Sequence, residues 1–217
     1  MIRAVLFDMD GTILDSEDFI TWSFLEASRI VGVEVDEDAI RRNIGRPLDE
    51  FSALVFGGLR REKYLELMKV RAKLVEENWK RMIRVFDDVS GVLSLLRSKG
   101  FRLAVASSSK LERIVEYLGY FNILGLFDTV SGVVDGVRGK PYPDVILRAL
   151  GTIGVGAGEA VYVGDREVDC LAARSAGVGF VLVNRKNYGY DQGVCRPDYA
   201  IESLRPLPDL LLYINKN

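Results

Sequence analysis

The chain of 217 residues contains no histidine. Imidazole is therefore excluded as general base, as partner of a nucleophile and as metal ligand, and acid-base chemistry falls to carboxylates, Lys, Tyr or Cys. Cysteine is nearly absent too, with only Cys170 and Cys195. So low a count argues against a disulfide framework and leads us to expect two reduced thiols in a cytoplasmic protein. No apolar stretch approaches the roughly 18 to 20 residues of a membrane span, and Asp8 arrives too early for the apolar region of a signal peptide. Charge of one sign is lacking as well: 29 basic and 31 acidic residues leave a formal net charge of −2. Bulk attraction to nucleic acid or to anionic lipid is thereby excluded, and an anionic ligand must be held by a local site.

What is present is an ordinary globular composition, 48% hydrophobic and 28% charged, with enough chain to bury a substantial core. Short β-rich runs recur in order: "AVLF" (4–7), "RLAVA" (102–106), "AVYV" (160–163) and "GFVLV" (179–183), with "FDTVSG" (127–132) as a further candidate. Segments with helical spacing lie between them, such as "VSGVLSLLRSKG", where Val89, Val92, Leu93 and Leu96 share a face and Gly100 suits the C-terminal cap. This alternation predicts an α/β fold, a Rossmann-like open parallel sheet with helices on both faces. From about Glu17 to Arg84 the alternation stops, and apolar residues recur every three to four positions. We therefore expect a core domain of residues 1–15 and 85–217 and a small all-helical domain, 16–84, inserted after the first strand. Trp22, Phe24, Tyr64 and Trp79 fall at helical spacings within it and are read as packing residues.

In an open parallel sheet, ligands bind beyond the carboxyl ends of the strands. Asp8 and Asp10 follow the first strand, Ser107, Ser108 and Ser109 follow the second, Asp165 follows "AVYVG", and Lys140 stands in "GKPYP". Residues from distant parts of the chain thus converge on one edge. Carboxylates gathered there repel one another unless a cation sits among them, and oxygen ligands without His or Cys favour Mg²⁺. Beside Mg²⁺ and a lysine, Asp8 is suited to attack phosphorus, Asp10 to move protons, and Ser107 and Lys140 to bind phosphoryl oxygens. Plainer readings stand beside these. An Asx-turn also ends a strand on aspartate, Ser107 to Ser109 also suit the start of the helix "KLERIVEYLG", and Asp165 and Asp169 also suit a helix N-terminus.

Together the four stretches "DMDGT", "VASSS", "KPYP" and "VGDREVD" resemble, in order, the four motifs of the haloacid dehalogenase-like hydrolase superfamily. The resemblance implies Asp8 as nucleophile and Asp10 as acid/base. It implies Mg²⁺ held by the Asp8 side chain, the Asp10 backbone carbonyl and Asp165, with Ser107, Ser108 and Lys140 on the phosphoryl group. Asp169 would stand behind these, near Lys140 or a metal-bound water. The helical insertion is similar to that superfamily's cap. Within the superfamily the chain is similar to the phosphoglycolate phosphatase and β-phosphoglucomutase branch, and "NIGRPLDE" (43–50) resembles the cap loop that sets specificity, through Gly45 and Arg46. Two departures from the mutases favour hydrolysis: Leu48 stands where their loop carries a phosphate-binding arginine, and Asp169 supplies a second acid that they lack.

The resulting expectation is a Mg²⁺-dependent phosphatase for a small phosphorylated metabolite, phosphoglycolate first, acting as a monomer or weak dimer. A phosphosugar mutase or sugar-phosphate phosphatase is the nearest alternative. A phospho-receiver-like signalling domain shares an Asp pair, Ser/Thr and Lys-Pro, but needs its acceptor Asp after a middle strand of the sequence.

Overall fold

The computed structural model describes residues 1–186 and 189–216. Strand β1 (Ala4–Phe7) is buried at every position and lies between β4 (Arg102–Lys110) and β6 (Ala160–Gly164), parallel to both. Buried strands of this kind read as unbroken apolar runs because both sheet faces are covered. β5 (Thr129–Val133) extends the sheet beyond β4, and β7 (Gly179–Val183) with β8 (Tyr199–Ile201) extends it beyond β6. The order β5-β4-β1-β6-β7-β8, all parallel, realises the Rossmann-like α/β class expected from the alternation. The chain builds one side of β1 before it crosses to the other, so the end of β1 lies at the point where the winding reverses. That is where such sheets open a crevice.

Strand periodicity divides the core in two. Val5, Phe7, Leu103, Val105, Val161 and Val163 face one layer with α5 (Val89–Ser98), α6 (Leu111–Tyr120) and α9 (Leu207–Ile214). Ala4, Leu6, Ala104, Ala106 and Tyr162 face the other, with α7 (Asp144–Ile153) and α8 (Glu167–Ser175).

Between the first strand and the rest of the sheet come α1 (Glu17–Val31), α2 (Glu37–Asn43), α3 (Leu48–Phe56) and α4 (Arg61–Met82). They share an apolar cluster of their own around Phe24, Ile40, Phe51, Phe56 and Leu67, in which the Phe24 and Phe51 rings stack 4.5 Å apart. Phe24 and Trp79 are buried as packing residues. A short antiparallel ribbon joins both ends of this insertion, β2 (Leu14–Asp15) pairing with β3 (Arg84–Val85). Two residues per strand are too few to leave a period in the sequence.

One expectation is overturned. Cys170 and Cys195 are joined in a disulfide, and none of the described cysteines is free. Cys170 sits on α8, and the chain leading into β8 returns Cys195 beside it, with Cα atoms 6.1 Å apart, within ordinary bridging reach. A count of two thiols carries no information about that proximity, and the pairing removes cysteine usage as an argument for a reducing compartment. Among the described residues no helix is long and apolar enough to cross a membrane.

Candidate active site

The sheet delivers Asp8 directly. Its backbone N–H donates to Val163 O at 2.9 Å, continuing the β1–β6 ladder by one residue and fixing the carboxylate at the crevice, where the residue is 2% exposed. The chain then turns sharply at Gly11, whose φ of +79° is left-handed. Space also demands glycine there, because a Cβ at Gly11 would stand 2.8 Å from Asp165 Cγ and 2.9 Å from its Oδ1. The Asp165 carboxylate is held in turn by Thr12, whose Oγ1 donates to Oδ1 at 3.0 Å, and by Arg166, whose Nε lies 3.3 Å from Oδ2. Arg166 also pairs with Glu17 at the start of α1.

Lys140 reaches the same point from the loop between β5 and α7. Fully buried, its Nζ lies 2.6 Å from Asp8 Oδ1 and 2.5 Å from Asp169 Oδ1. Asp169 divides its two oxygens: Oδ1 takes the lysine, while Oδ2 accepts the backbone N–H groups of Asp165 at 3.0 Å and Arg166 at 2.9 Å. A carboxylate at the third helical position can accept those amides because they have no partner within the helix. One side chain thereby fixes the lysine, the start of α8 and the backbone of Asp165 together.

Ser107 to Ser109, near the end of β4, do not act as a helix cap. β4 runs through Lys110, α6 starts at Leu111, and no side chain caps it. Ser107 is buried and its Oγ accepts from Ser109 N at 3.2 Å, Ser108 Oγ accepts from the backbone N–H of Lys140 at 3.0 Å, and Ser109 Oγ donates to Asp10 Oδ2 at 3.3 Å. Ser16 Oγ donates to the other oxygen of Asp10 at 2.6 Å.

Crowding of charge perturbs the acids. Burial, opposed by the Lys140 ammonium, pushes Asp8 up to about 7. Burial also drives Asp165 well above the usual carboxylate range, reinforced by Asp169 and Glu17. Burial alone would lower Lys140, but Asp169 and Asp8 outweigh it and hold the ammonium firmly protonated.

A fit to a divalent cation follows from the donor set. One oxygen from each of Asp8, Asp165 and Asp169 lies within 4.8 Å of the others, and every donor in the set is oxygen, with neither His nor Cys among them. These are the preferences of Mg²⁺. The Asp10 side chain is outside this trio, its two oxygens accepting from Ser16 and Ser109.

Beyond the sheet edge a cavity of about 700 Å³ runs from Asp8, Asp10, Ser107 and Lys140 to the helical insertion. Gly45, in a left-handed conformation at φ +93°, and Arg46 line it, and Arg46 Nη1 lies 3.7 Å from Glu50. Arg71 on α4 and Arg113 on α6 line it as well. The sequence pattern did not single out these two arginines, because charges on amphipathic helices look like solvated faces.

Comparison with known proteins agrees with this architecture. A family model described as haloacid dehalogenase-like hydrolase matches residues 5–183. The chain is 30% identical over 213 residues to pyrophosphatase PpaX of Halalkalibacterium halodurans, covering 97% of this chain and 95% of the relative. It is 30% identical over 182 residues to a phosphoglycolate phosphatase of Aquifex aeolicus, covering 83% and 84%. In fold, it matches the crystal structure of a hydrolase from Pseudomonas syringae with a TM-score of 0.82 at 24% identity, covering 100% and 99% of the two chains. With the match running from β1 through β7, the chain belongs to the haloacid dehalogenase-like hydrolases.

Proposed function

We propose that this hydrolase is a Mg²⁺-dependent phosphatase of a small phosphorylated metabolite, with phosphoglycolate the leading candidate. One observation carries the reading: at the floor of a large cavity, a buried ammonium lies between the carboxylates of Asp8 and Asp169, and one oxygen from each of Asp8, Asp165 and Asp169 lies within 4.8 Å of the others. Asp8 attacks phosphorus, forming a P–O bond as the bond to the leaving oxygen breaks. Asp10, steadied by Ser16 and Ser109, gives that oxygen its proton. Water then attacks the aspartyl-phosphate, Asp10 takes the water's proton, and inorganic phosphate departs with Asp8 regenerated.

Lys140, Ser107 and Ser108 bind the phosphoryl oxygens, where fixed positive charge and donors matter most. Asp169 positions Lys140. Asp8, Asp165 and the Asp10 backbone carbonyl would hold Mg²⁺, which supplies positive charge against the carboxylates and the phosphoryl oxygens. The helices α1 to α4 act as a cap that excludes bulk water, hinged at residues 15–17 and 84–87 beside the β2–β3 ribbon. Gly45 and Arg46 present the cap loop to the substrate.

The pyrophosphatase among the relatives makes pyrophosphate the competing substrate. Phosphate release from phosphoglycolate, pyrophosphate, sugar phosphates and p-nitrophenyl phosphate, with Mg²⁺ and with chelator, tests the reading. Release only with Mg²⁺, fastest from phosphoglycolate, is the expected result. No release from any of them overturns it, and a requirement for a sugar bisphosphate activator points to a mutase.

A further inference from the structure

Arg71 is a buried cation without a carboxylate. It is 9% exposed on α4, its Nε donates to Ser23 Oγ at 3.0 Å, and its guanidinium lies 3.8 Å from the centre of the Phe24 ring. An arginine has five N–H donors, and among the described residues Ser23 is the one acceptor that Arg71 finds. No acid among the described residues lies within ion-pair distance of it, whereas Arg46 has Glu50. Its position on the cavity wall is shared with Arg113, which is exposed and also without an ion pair among the described residues.

Two like charges facing one cavity raise each other's cost, and burial raises it further for Arg71. Burial and then Arg113 lower Arg71 to about 10, which leaves it protonated at neutral pH. Arg71, Arg113 and Tyr117 line the same cavity as Asp8 and Asp10, so this wall and the reacting aspartates face one shared space. An uncompensated buried guanidinium stacked on an aromatic ring is pre-organised for an anion that the protein does not itself provide.

We propose that Arg71, assisted by Arg113, forms the subsite for a second anionic group of the substrate, so that this hydrolase selects small phosphate compounds carrying a further carboxylate or phosphate. The inference rests on the phosphatase reading for the position of the first phosphoryl group. It assigns discrimination to the cap helix α4 and to α6 in addition to the loop at Arg46. A monoester with an uncharged tail leaves both guanidinium groups unsatisfied and is a poor substrate.

Calorimetric titration of phosphoglycolate and of pyrophosphate into the Asp8→Asn protein with Mg²⁺ measures the subsite without turnover. Adding Arg71→Met, which preserves the apolar stem against Phe24, should weaken the dissociation constant of the preferred ligand at least tenfold, about 1.4 kcal/mol. Arg71→Lys should restore part of this, and Arg113→Gln, at an exposed position whose replacement does not endanger the fold, should weaken binding several-fold. In the wild-type Asp8 background, Arg71→Met should lower the ratio of kcat/KM for the preferred ligand to that for p-nitrophenyl phosphate tenfold, mainly through KM. Tighter binding of phosphoglycolate identifies a carboxylate as the second anion, and tighter binding of pyrophosphate a phosphate. Binding of either ligand that is unchanged within twofold in both Arg71→Met and Arg113→Gln, or an equal loss for p-nitrophenyl phosphate, overturns the subsite. Arg71-dependent binding in a protein that releases phosphate from nothing would sustain the subsite while the phosphatase reading fails.

Discussion

Replacing Gly11 by alanine tests the packing of the site independently of any assay of activity. The new methyl would sit 2.8 Å from Asp165 Cγ and 2.9 Å from Oδ1, distances that real Cβ atoms do not adopt. Asp165 has little freedom to retreat, because Thr12 and Arg166 hold its two oxygens. The backbone contributes a second penalty, since φ is +79° and a left-handed conformation costs a residue with a side chain roughly 1–2 kcal/mol. Overpacking of a well-filled site adds about 1–3 kcal/mol. The sum is a loss of roughly 2–5 kcal/mol, which for a chain of this size lowers the melting temperature by about 4–20 °C. Urea unfolding of the metal-free protein reads the loss directly, and Mg²⁺ titration should show weaker binding because Asp165 has been displaced. A Gly11→Ala protein within about 0.5 kcal/mol of the parent, binding Mg²⁺ equally well, would refute the reasoning.

Asp169→Asn keeps an acceptor but cannot serve both sides: its oxygen can satisfy the amides of Asp165 and Arg166 only by turning its NH₂ toward the Lys140 ammonium. Relief of repulsion with Asp8 and Asp165 offsets part of the cost, so stability should fall by about 1–3 kcal/mol while kcat falls at least ~100-fold; a change in KM alone, seen in steady-state kinetics, would remove Asp169 from its positioning role. The raised pKa of Asp8, about 7 against 3.8 for the ordinary group, favours the folded metal-free protein with Asp8 neutral. That contribution is complete below the unfolded value and is lost as pH rises through about 7. Mg²⁺ must displace the Asp8 proton below that pH, so the gain in melting temperature on adding Mg²⁺ should grow from about pH 6 to about pH 8; a gain that shrinks over this range in thermal melts contradicts the assignment.

Much of this site was legible in the sequence because its parts sit where strand periodicity stops. "AVLF" reads as a buried strand, so Asp8 must stand at its tip, and the same argument places Asp165 after "AVYVG". Lys140 was legible through Pro141 and Pro143, which follow it and restrict the backbone there. The helical insertion was legible because three-to-four residue spacing persists from α1 through α4. What escaped has a common cause, namely that it depends on neighbours remote in sequence. Arg71 belongs to a long polar helix and acquires its meaning only when α4 packs over the crevice. The plainer reading of the serines as a helix cap stood open beside the phosphate-binding one because the sequence does not reveal that β4 continues through Lys110. The pairing of Cys170 with Cys195 and the two-residue strands β2 and β3 are likewise products of tertiary contact.

Mass spectrometry of protein quenched in acid during turnover is the most direct measurement. With phosphoglycolate or p-nitrophenyl phosphate and Mg²⁺ present, phosphate should be bound to the peptide containing Asp8, and a folded Asp8→Asn protein should show neither bound phosphate nor turnover. Undiminished turnover in Asp8→Asn, or phosphate carried on a different residue, would contradict the mechanism.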